Sequence, residues 1–237
     1  MRFDVLTLFP GLFESYLGQS LVKKALDAGL VTVALHDIRR WSKDKHHKVD
    51  DRPFGGGPGM ILQVEPVVES VEAVQTLDEP GLVVALTPRG QRLTQPLVEQ
   101  LASHRRLLLV CGRYEGFDER VFEILRPAEI SIGDYIVSGG EVAAMVVIDA
   151  VMRLVPGVLG DETSSLDDSF SSHNRLLEFP QYTRPREYRG HTVPEVLLGG
   201  NHEAIARWRR EQSYLSTRQR RADLLEPPPM PPRKDEP

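Results

Sequence analysis

The residues best suited to chemistry lie in three short loops. They are Pro88-Arg89-Gly90, Gly112-Arg113-Tyr114-Glu115-Gly116, and the stretch Ser131 to Gly140, read S-I-G-D-Y-I-V-S-G-G. Each follows an apolar, strand-like run: Gly81–Thr87, Leu107–Cys111 and Glu129–Ile132. Glycine and polar residues interrupting a buried pattern leave backbone groups that must find partners, and a ligand can supply them. For any one loop a simple turn is explanation enough. Three in succession, each at the carboxyl end of a strand, predict a pocket there. A small molecule held against the backbone of Ser131–Gly140 is the chemistry this pattern offers.

A second constellation is basic. From Arg184 to Arg221 nine arginines stand against four glutamates, although the whole chain carries a formal net charge of −5. An acidic body with a basic C-terminal part suits docking of a polyanion on one side. Tyr182, Tyr188 and Trp208 are interleaved with these arginines. That mixture suits RNA, where aromatics stack on bases and guanidinium groups neutralise phosphates. Between the two constellations, Phe170 stands beside Asp167, Asp168 and Ser169 in a polar, serine-rich segment, which predicts a segment that orders on contact. Other candidates are weaker. F-G-G-G-P-G-M at 54–60 lacks the Gly-Lys-Ser/Thr of a P-loop, no G-x-G-x-x-G occurs, and a tight turn is the preferred reading. His46 and His47 near Asp50 and Asp51 do not have a metal-ligand spacing, so no metal site is assigned.

The elements that must position these loops follow from the pattern. Strands are expected at Phe3–Leu8, Leu30–Leu35, Gly81–Thr87, Leu107–Cys111 and Glu129–Ile132. Helices alternate with them around Leu12–Leu17 and over Ser20–Ala28, Glu65–Gln75, Gln95–Ser103, Asp118–Leu125 (Asp118 as N-cap) and Glu141–Leu154. This alternation predicts an α/β fold with a mainly parallel sheet. Glu141–Leu154 is apolar on most faces and should be buried against sheet or partner. The expected organisation is a large α/β domain over 1–156, a linker over 157–174, a small mainly helical domain over 175–225, and a proline-rich disordered tail over 226–237. In the small domain Asn201 should cap a helix from His202 to about Leu215, with Ile205, Trp208 and Leu215 inward and Arg207, Arg209 and Arg210 mainly off that stripe. A single cysteine, Cys111, excludes an internal disulfide. The N-terminus has no long apolar signal region and no run approaches the ~20 residues that span a bilayer. A cytoplasmic protein with no membrane contact is expected.

Longer motifs then carry a resemblance. D-D-R-P-F-G-G-G-P-G-M at 50–60, L-V-C-G-R-Y-E-G-F-D-E-R at 109–120, S-I-G-D-Y-I-V-S-G-G-E at 131–141, I-D-A-V-M-R-L-V-P-G-V-L-G at 148–160, D-S-F at 168–170 and Y-T-R-P at 182–185 occur in this order. Nearly the whole chain thus resembles the bacterial tRNA (guanine-N1)-methyltransferases, the TrmD family of the SPOUT superfamily. The resemblance implies a deep trefoil knot, a rarity among folds, with S-adenosylmethionine bound in it, and a homodimer with the site at the subunit interface. It implies methylation of N1 of the guanosine at tRNA position 37, 3′ of the anticodon. By motif match the cofactor residues are Pro88, Gly112, Glu115, Ile132, Gly133, Asp134, Tyr135, Ile136, Val137, Gly139 and Gly140. Asp168 matches the general base and Arg153 an essential arginine. Ser169, Tyr182, Arg184, Arg207, Arg209 and Arg210 are the tRNA-binding candidates. Magnesium is a further implied cofactor, without a ligand identifiable here. The family's usual His-Tyr-Thr-Arg-Pro reads Gln181-Tyr182-Thr183-Arg184-Pro185 in this chain.

The implied chemistry is consistent with the residue types. Guanine N1 is a poor nucleophile until it loses its proton, and a carboxylate can remove it. Asp167 and the approaching RNA would both push the pKa of Asp168 up. Charge that builds on O6 can be met by the guanidinium of Arg153. Three rivals stand beside this reading: a SPOUT methyltransferase acting on another RNA site, a non-catalytic RNA-binding protein of the same fold, and a nucleotide-binding dehydrogenase. The last lacks its fingerprint.

Overall fold

The computed structural model describes residues 1–160, 168–171 and 174–225. Half of the expected linker, Asp167 included, and the expected tail lie outside these residues. The chain divides into two compact units, Met1–Glu162 and Thr163–Pro237.

Unit 1 alternates strands and helices: β1 (Arg2–Thr7), α1 (Glu14–Leu17), α2 (Ser20–Asp27), β2 (Thr32–Asp37), β3 (Asp50–Asp51), β4 (Ile61–Leu62), α3 (Val64–Gln75), β5 (Leu82–Arg92), α4 (Gln95–Ala102), β6 (Arg106–Cys111), α5 (Arg120–Leu125), β7 (Ala128–Ser131) and α6 (Gly140–Met152). Five strands form one sheet in the order β2-β1-β6-β5-β7, and every pairing in it is parallel. The expected α/β fold with a mainly parallel sheet is therefore what the chain adopts. Parallel strands buried on both faces read as continuous apolar runs; all six residues of β6 are buried.

Successive side chains of a strand point to opposite faces, and the core divides accordingly. Leu107, Leu109 and Cys111 join Phe3 and Val5 on one face, under α2, α4 and α6. Leu108 and Val110 join Leu6 and Leu8 on the other, under α3 and α5. α6 buries Ala143, Ala144, Val147, Ile148, Val151 and Met152, but leaves Val142 and Val146 54% and 41% exposed. The helix thus carries exposed apolar side chains on one face.

Two local expectations are corrected. Pro88-Arg89-Gly90 is not a loop that ends β5. The strand bulges there, and Leu86 and Gln91 both pair with Ile130. Proline lacks an N–H for the ladder, and a bulge is where a strand accommodates it. Asp118 lies one residue before the N-cap of α5, which is Glu119. It still receives the backbone N–H of Arg120 at 3.0 Å, so it serves the helix start from one position earlier.

In unit 2 the hairpin β8 (Glu187–Tyr188) and β9 (His191–Thr192) precedes α7 (His202–Arg220). Asn201 caps α7 by accepting from the N–H of Ala204 at 3.1 Å. The inward side of α7 is more polar than the apolar stripe suggested. Leu215 is exposed, whereas Ser213 and Thr217 are buried. Ser213 donates to the Leu177 carbonyl at 2.6 Å, and Thr217 Oγ1 accepts from the Leu177 N–H at 2.9 Å. These bonds pair the backbone N–H and carbonyl of Leu177, which lies outside the strands and helices.

Candidate active site

The bulge of β5 and the loops after β6 and β7 build a cavity in unit 1. On its first wall, Thr87–Arg89 bulge outward and Gly90 returns the chain against β7. A Cβ on Gly90 would lie 2.4 Å from the backbone of Glu129 and Ile130, so only glycine allows this crossing. Arg89 pins the bulge. Its guanidinium bonds Glu129 at 2.7 Å and Glu119 at 2.7 Å, and it lies 4.0 Å above the Phe122 ring. The second wall follows β6. The N–H of Glu115 donates to the Met60 carbonyl at 2.9 Å, and the N–H of Leu62 to the Gly116 carbonyl at 2.9 Å, so the segment around β4 braces this loop. The third wall follows β7. There Gly140 donates to the Gly112 carbonyl at 2.8 Å, and a Cβ on Gly140 would lie 2.7 Å from Cys111 Cα. The glycine pair at 139–140 thus lets two loops lie backbone to backbone.

The enclosed volume is about 410 Å³, within the usual range for small-molecule sites. Pro88, Gly112, Glu115, Ile132, Gly133, Tyr135, Ile136, Val137, Gly139 and Gly140 all line it. Asp134, named with them in the motif, does not. Its side chain is 90% exposed and reaches toward Arg92 at 4.0 Å. Arg113 and Tyr114, marked from the sequence only as part of their loop, also line the cavity, as do Phe117, Glu119 and Phe122, which were given no role. Ile136 is 79% exposed on this wall, an apolar surface that calls for a ligand or a partner to cover it. Cys111 is no nucleophile candidate. It lies in the core, and burial pushes its thiol well above the usual range. Among the described residues no group of His, Cys, Asp and Glu could hold a metal ion, and no helix is long and apolar enough to cross a membrane.

The other predicted residues lie elsewhere. Arg153 is the C-cap of α6, whose first residue touches the cavity, so about 20 Å of helix separates them. Just beyond, Gly157 packs against Leu30, which precedes β2 at the amino ends of the strands. The cavity lies at the carboxyl ends, so Arg153 stands at the opposite edge of the sheet. Asp168 and Ser169 belong to unit 2. Ser169 Oγ accepts from the Glu178 N–H at 2.9 Å, and Phe170 donates its N–H to Leu176 at 2.8 Å with Arg221 5.6 Å above its ring. Residues 168–171 are therefore tied to unit 2. Tyr182 packs on Trp208 with centroids 6.3 Å apart, and Arg209 lies 4.7 Å over Phe179. Arg184, Arg207 and Arg210 are exposed, and Gln181 donates to Glu178.

Comparison with known proteins agrees along the whole chain. Residues 1–227 match the family model described as tRNA (Guanine-1)-methyltransferase TrmD. A tRNA (guanine-N(1)-)-methyltransferase of Rhodopirellula baltica is 64% identical over 227 residues, covering 95% of this chain and 94% of the relative. Proteins of the same name from Dehalococcoides mccartyi and Geobacillus kaustophilus are 55% and 52% identical, covering 95% and 97% of this chain and 91% and 93% of their own lengths. With its parallel sheet, its loop-walled cavity and this match over nearly its full length, the chain belongs to the tRNA (guanine-1)-methyltransferase TrmD family of enzymes.

Proposed function

We propose that the protein transfers the methyl group of S-adenosylmethionine to N1 of the guanosine at tRNA position 37, with Asp168 as general base. The observation that carries this reading is the cavity, whose walls are the motif residues that match the family's cofactor site. The residues present suit that cofactor. Ile132, Ile136 and Val137 offer apolar walls to an adenosine, the loop backbone offers hydrogen-bond partners, and Glu115 offers a negative group to the positively charged methionine end. Bound there, S-adenosylmethionine supplies an electrophilic methyl group. The chain's own residues do the rest. Asp168 takes the N1 proton, which converts the guanine into a nucleophile. Arg153 meets the charge that develops on O6. Ser169, Tyr182, Arg184, Arg207, Arg209 and Arg210 hold the RNA through phosphate and stacking contacts. A base in the anticodon loop is unpaired and costs less to turn out than one in a duplex. Magnesium has no assigned ligand in this scheme, and the cytoplasm is its natural setting.

The active unit in this reading is a homodimer, and the SPOUT knot is part of it. The backbone-to-backbone contact of the loops after β6 and β7 supports the knot. The dimer is supported by exposed Val142 and Val146 on α6 and by exposed Leu12 and Phe9 in the segment packed beside it. It is supported also by Arg153, which stands too far from its own cavity for its side chain to reach; a second copy must supply it.

The test is to incubate tRNA with the protein and labelled cofactor and to map the modified nucleotide. Primer-extension arrest at position 37 is expected, because N1 methylation blocks base pairing. Label without arrest, or arrest elsewhere, would favour another RNA site. Asp168→Ala should abolish transfer and leave cofactor affinity nearly unchanged by calorimetry. Equal loss of both would remove Asp168 from the role of base.

A further inference from the structure

Glu141 is 1% exposed, yet it does not line the cavity. Its place in the first turn of α6 is favourable for an acid, because the helix N-terminus carries partial positive charge. That alone does not explain its partners. Oε1 accepts from Thr7 Oγ1 at 2.7 Å, and Oε2 accepts from Arg113 Nε at 2.9 Å. The circuit closes on itself. Thr7 Oγ1 accepts from the Phe9 N–H at 2.9 Å, and the Phe9 ring lies 4.5 Å beneath the Arg113 guanidinium. Arg113 therefore has its Nε fixed by a buried carboxylate and one face fixed by a ring. A further bond runs to the cavity wall: Nη1 donates to the Ser138 carbonyl at 3.1 Å. Arg113 and Gly139 are bridged strand to strand, and the Arg113 side chain fills the space a Cβ on Gly139 would need.

We propose that Glu141 is a positioning residue for cofactor binding. Through Thr7 and Arg113 it anchors the Ser138–Gly140 wall to the end of β1, so that the wall is already in its binding shape before the cofactor arrives. The inference rests on the reading of the cavity as the S-adenosylmethionine site. A wall left loose must be ordered by the ligand, and that ordering is taken from affinity. Thr7, Phe9 and Glu141 touch no ligand in this scheme, so their effect reaches the reaction only through Arg113.

The test compares the full-length protein with Glu141→Gln, Arg113→Lys, Thr7→Val and Thr7→Ser. The readouts are calorimetric titration with S-adenosylmethionine and methyl transfer at varied cofactor. Glu141→Gln keeps an acceptor for Thr7 but loses the one for Arg113. Hydrogen bonds to charged groups are of a strength that converts to about ten- to a hundred-fold in affinity. Kd and KM for the cofactor should rise within that range, with kcat at saturating cofactor changed less than about three-fold. Thr7→Val should move Kd in the same direction, and Thr7→Ser, which keeps the hydroxyl, should restore it. A folded Glu141→Gln protein with Kd within about two-fold of the parent overturns the proposal; so does a fall in kcat at unchanged KM. If Glu141→Gln does not fold, the Arg113→Lys protein and the Thr7 pair decide by the same criteria. A parent protein that binds no cofactor would overturn the reading of the cavity itself.

Discussion

Asp4 has no exposed surface and no part in the cavity, yet it gathers two arginines and a histidine. Arg2 Nε and Arg106 Nε each donate to its Oδ2 at 2.8 Å, and His36 Nε2 lies 2.7 Å from its Oδ1. Arg106 is itself buried and also donates to the carbonyls of Val74 and Glu79. Burial alone would raise the pKa of Asp4. The hydrogen bonds from His36, Arg2 and Arg106 outweigh it and hold the carboxyl well below the usual carboxylate range. Removing one partner of a buried ion pair strands the other, at a cost of about 3–5 kcal/mol. Asp4→Asn should lower stability by about that much in urea unfolding near neutral pH. The sign with pH follows from the lowered pKa. The contribution is complete above the unfolded value near 3.8 and is lost as pH falls below it toward the folded value. The stability of the variant should therefore fall less steeply than the parent's below about pH 4, and equal slopes would contradict the pairing. In the sequence Asp4 simply falls within the expected strand Phe3–Leu8; its partners lie 2, 32 and 102 residues away.

At the scale of elements, the strand ends decide the site. The expected strands and helices of unit 1 were legible because apolar period and glycine punctuation are local signals. The course of β5 was not. Pro88-Arg89-Gly90 reads as a stop, and only the pairing of Leu86 and Gln91 with one residue of β7 reveals a bulge. Gly90→Ala should cost about 1–3 kcal/mol, because the added methyl meets backbone that cannot swing away. It should also weaken cofactor binding by calorimetry, since the bulge forms a wall of the cavity. Gly160→Ala is the control, because its methyl would meet nothing within 4 Å. Equal unfolding midpoints for the two variants would show that β5 tolerates displacement. α7 illustrates the same limit. Its capping asparagine was legible, but its polar inner side was not, since Ser213 and Thr217 are buried by hydrogen bonds to a segment 36 and 40 residues away.

At the scale of the whole molecule, Arg153 and the cavity occupy opposite edges of one sheet. A chain that needs both at one guanine must borrow one from a second copy. Two inactive variants should then complement each other. Arg153→Ala lacks the arginine, and Glu115→Lys reverses the charge on the cavity wall. In the proposed homodimer each variant alone should be inactive, and a mixture allowed to exchange subunits should recover methyl transfer, because one composite site in the heterodimer keeps both parts. Absence of recovery, with exchange verified by mass spectrometry, would place Arg153 and the cavity in the same subunit's site or remove Arg153 from the chemistry. Sedimentation of Val146→Glu should show dissociation of the proposed dimer, since a charge placed on its apolar face would go unpaired.

The sequence by itself determined the alternation of strands and helices, the three glycine-marked segments that wall the cavity and the ordered motifs that identify the family. Each of these is carried by residues close together in the chain, so period, composition and spacing suffice. Only the tertiary structure decided that β5 passes through its proline, that Asp134 turns away from the cavity, that Arg153 stands at the far edge of the sheet, and that Glu141 is buried beneath Arg113. The reason is distance along the chain. Thr7 and Glu141 are 134 residues apart. No local preference links them, and they meet only because packing α6 onto β1 brings the end of one against the start of the other.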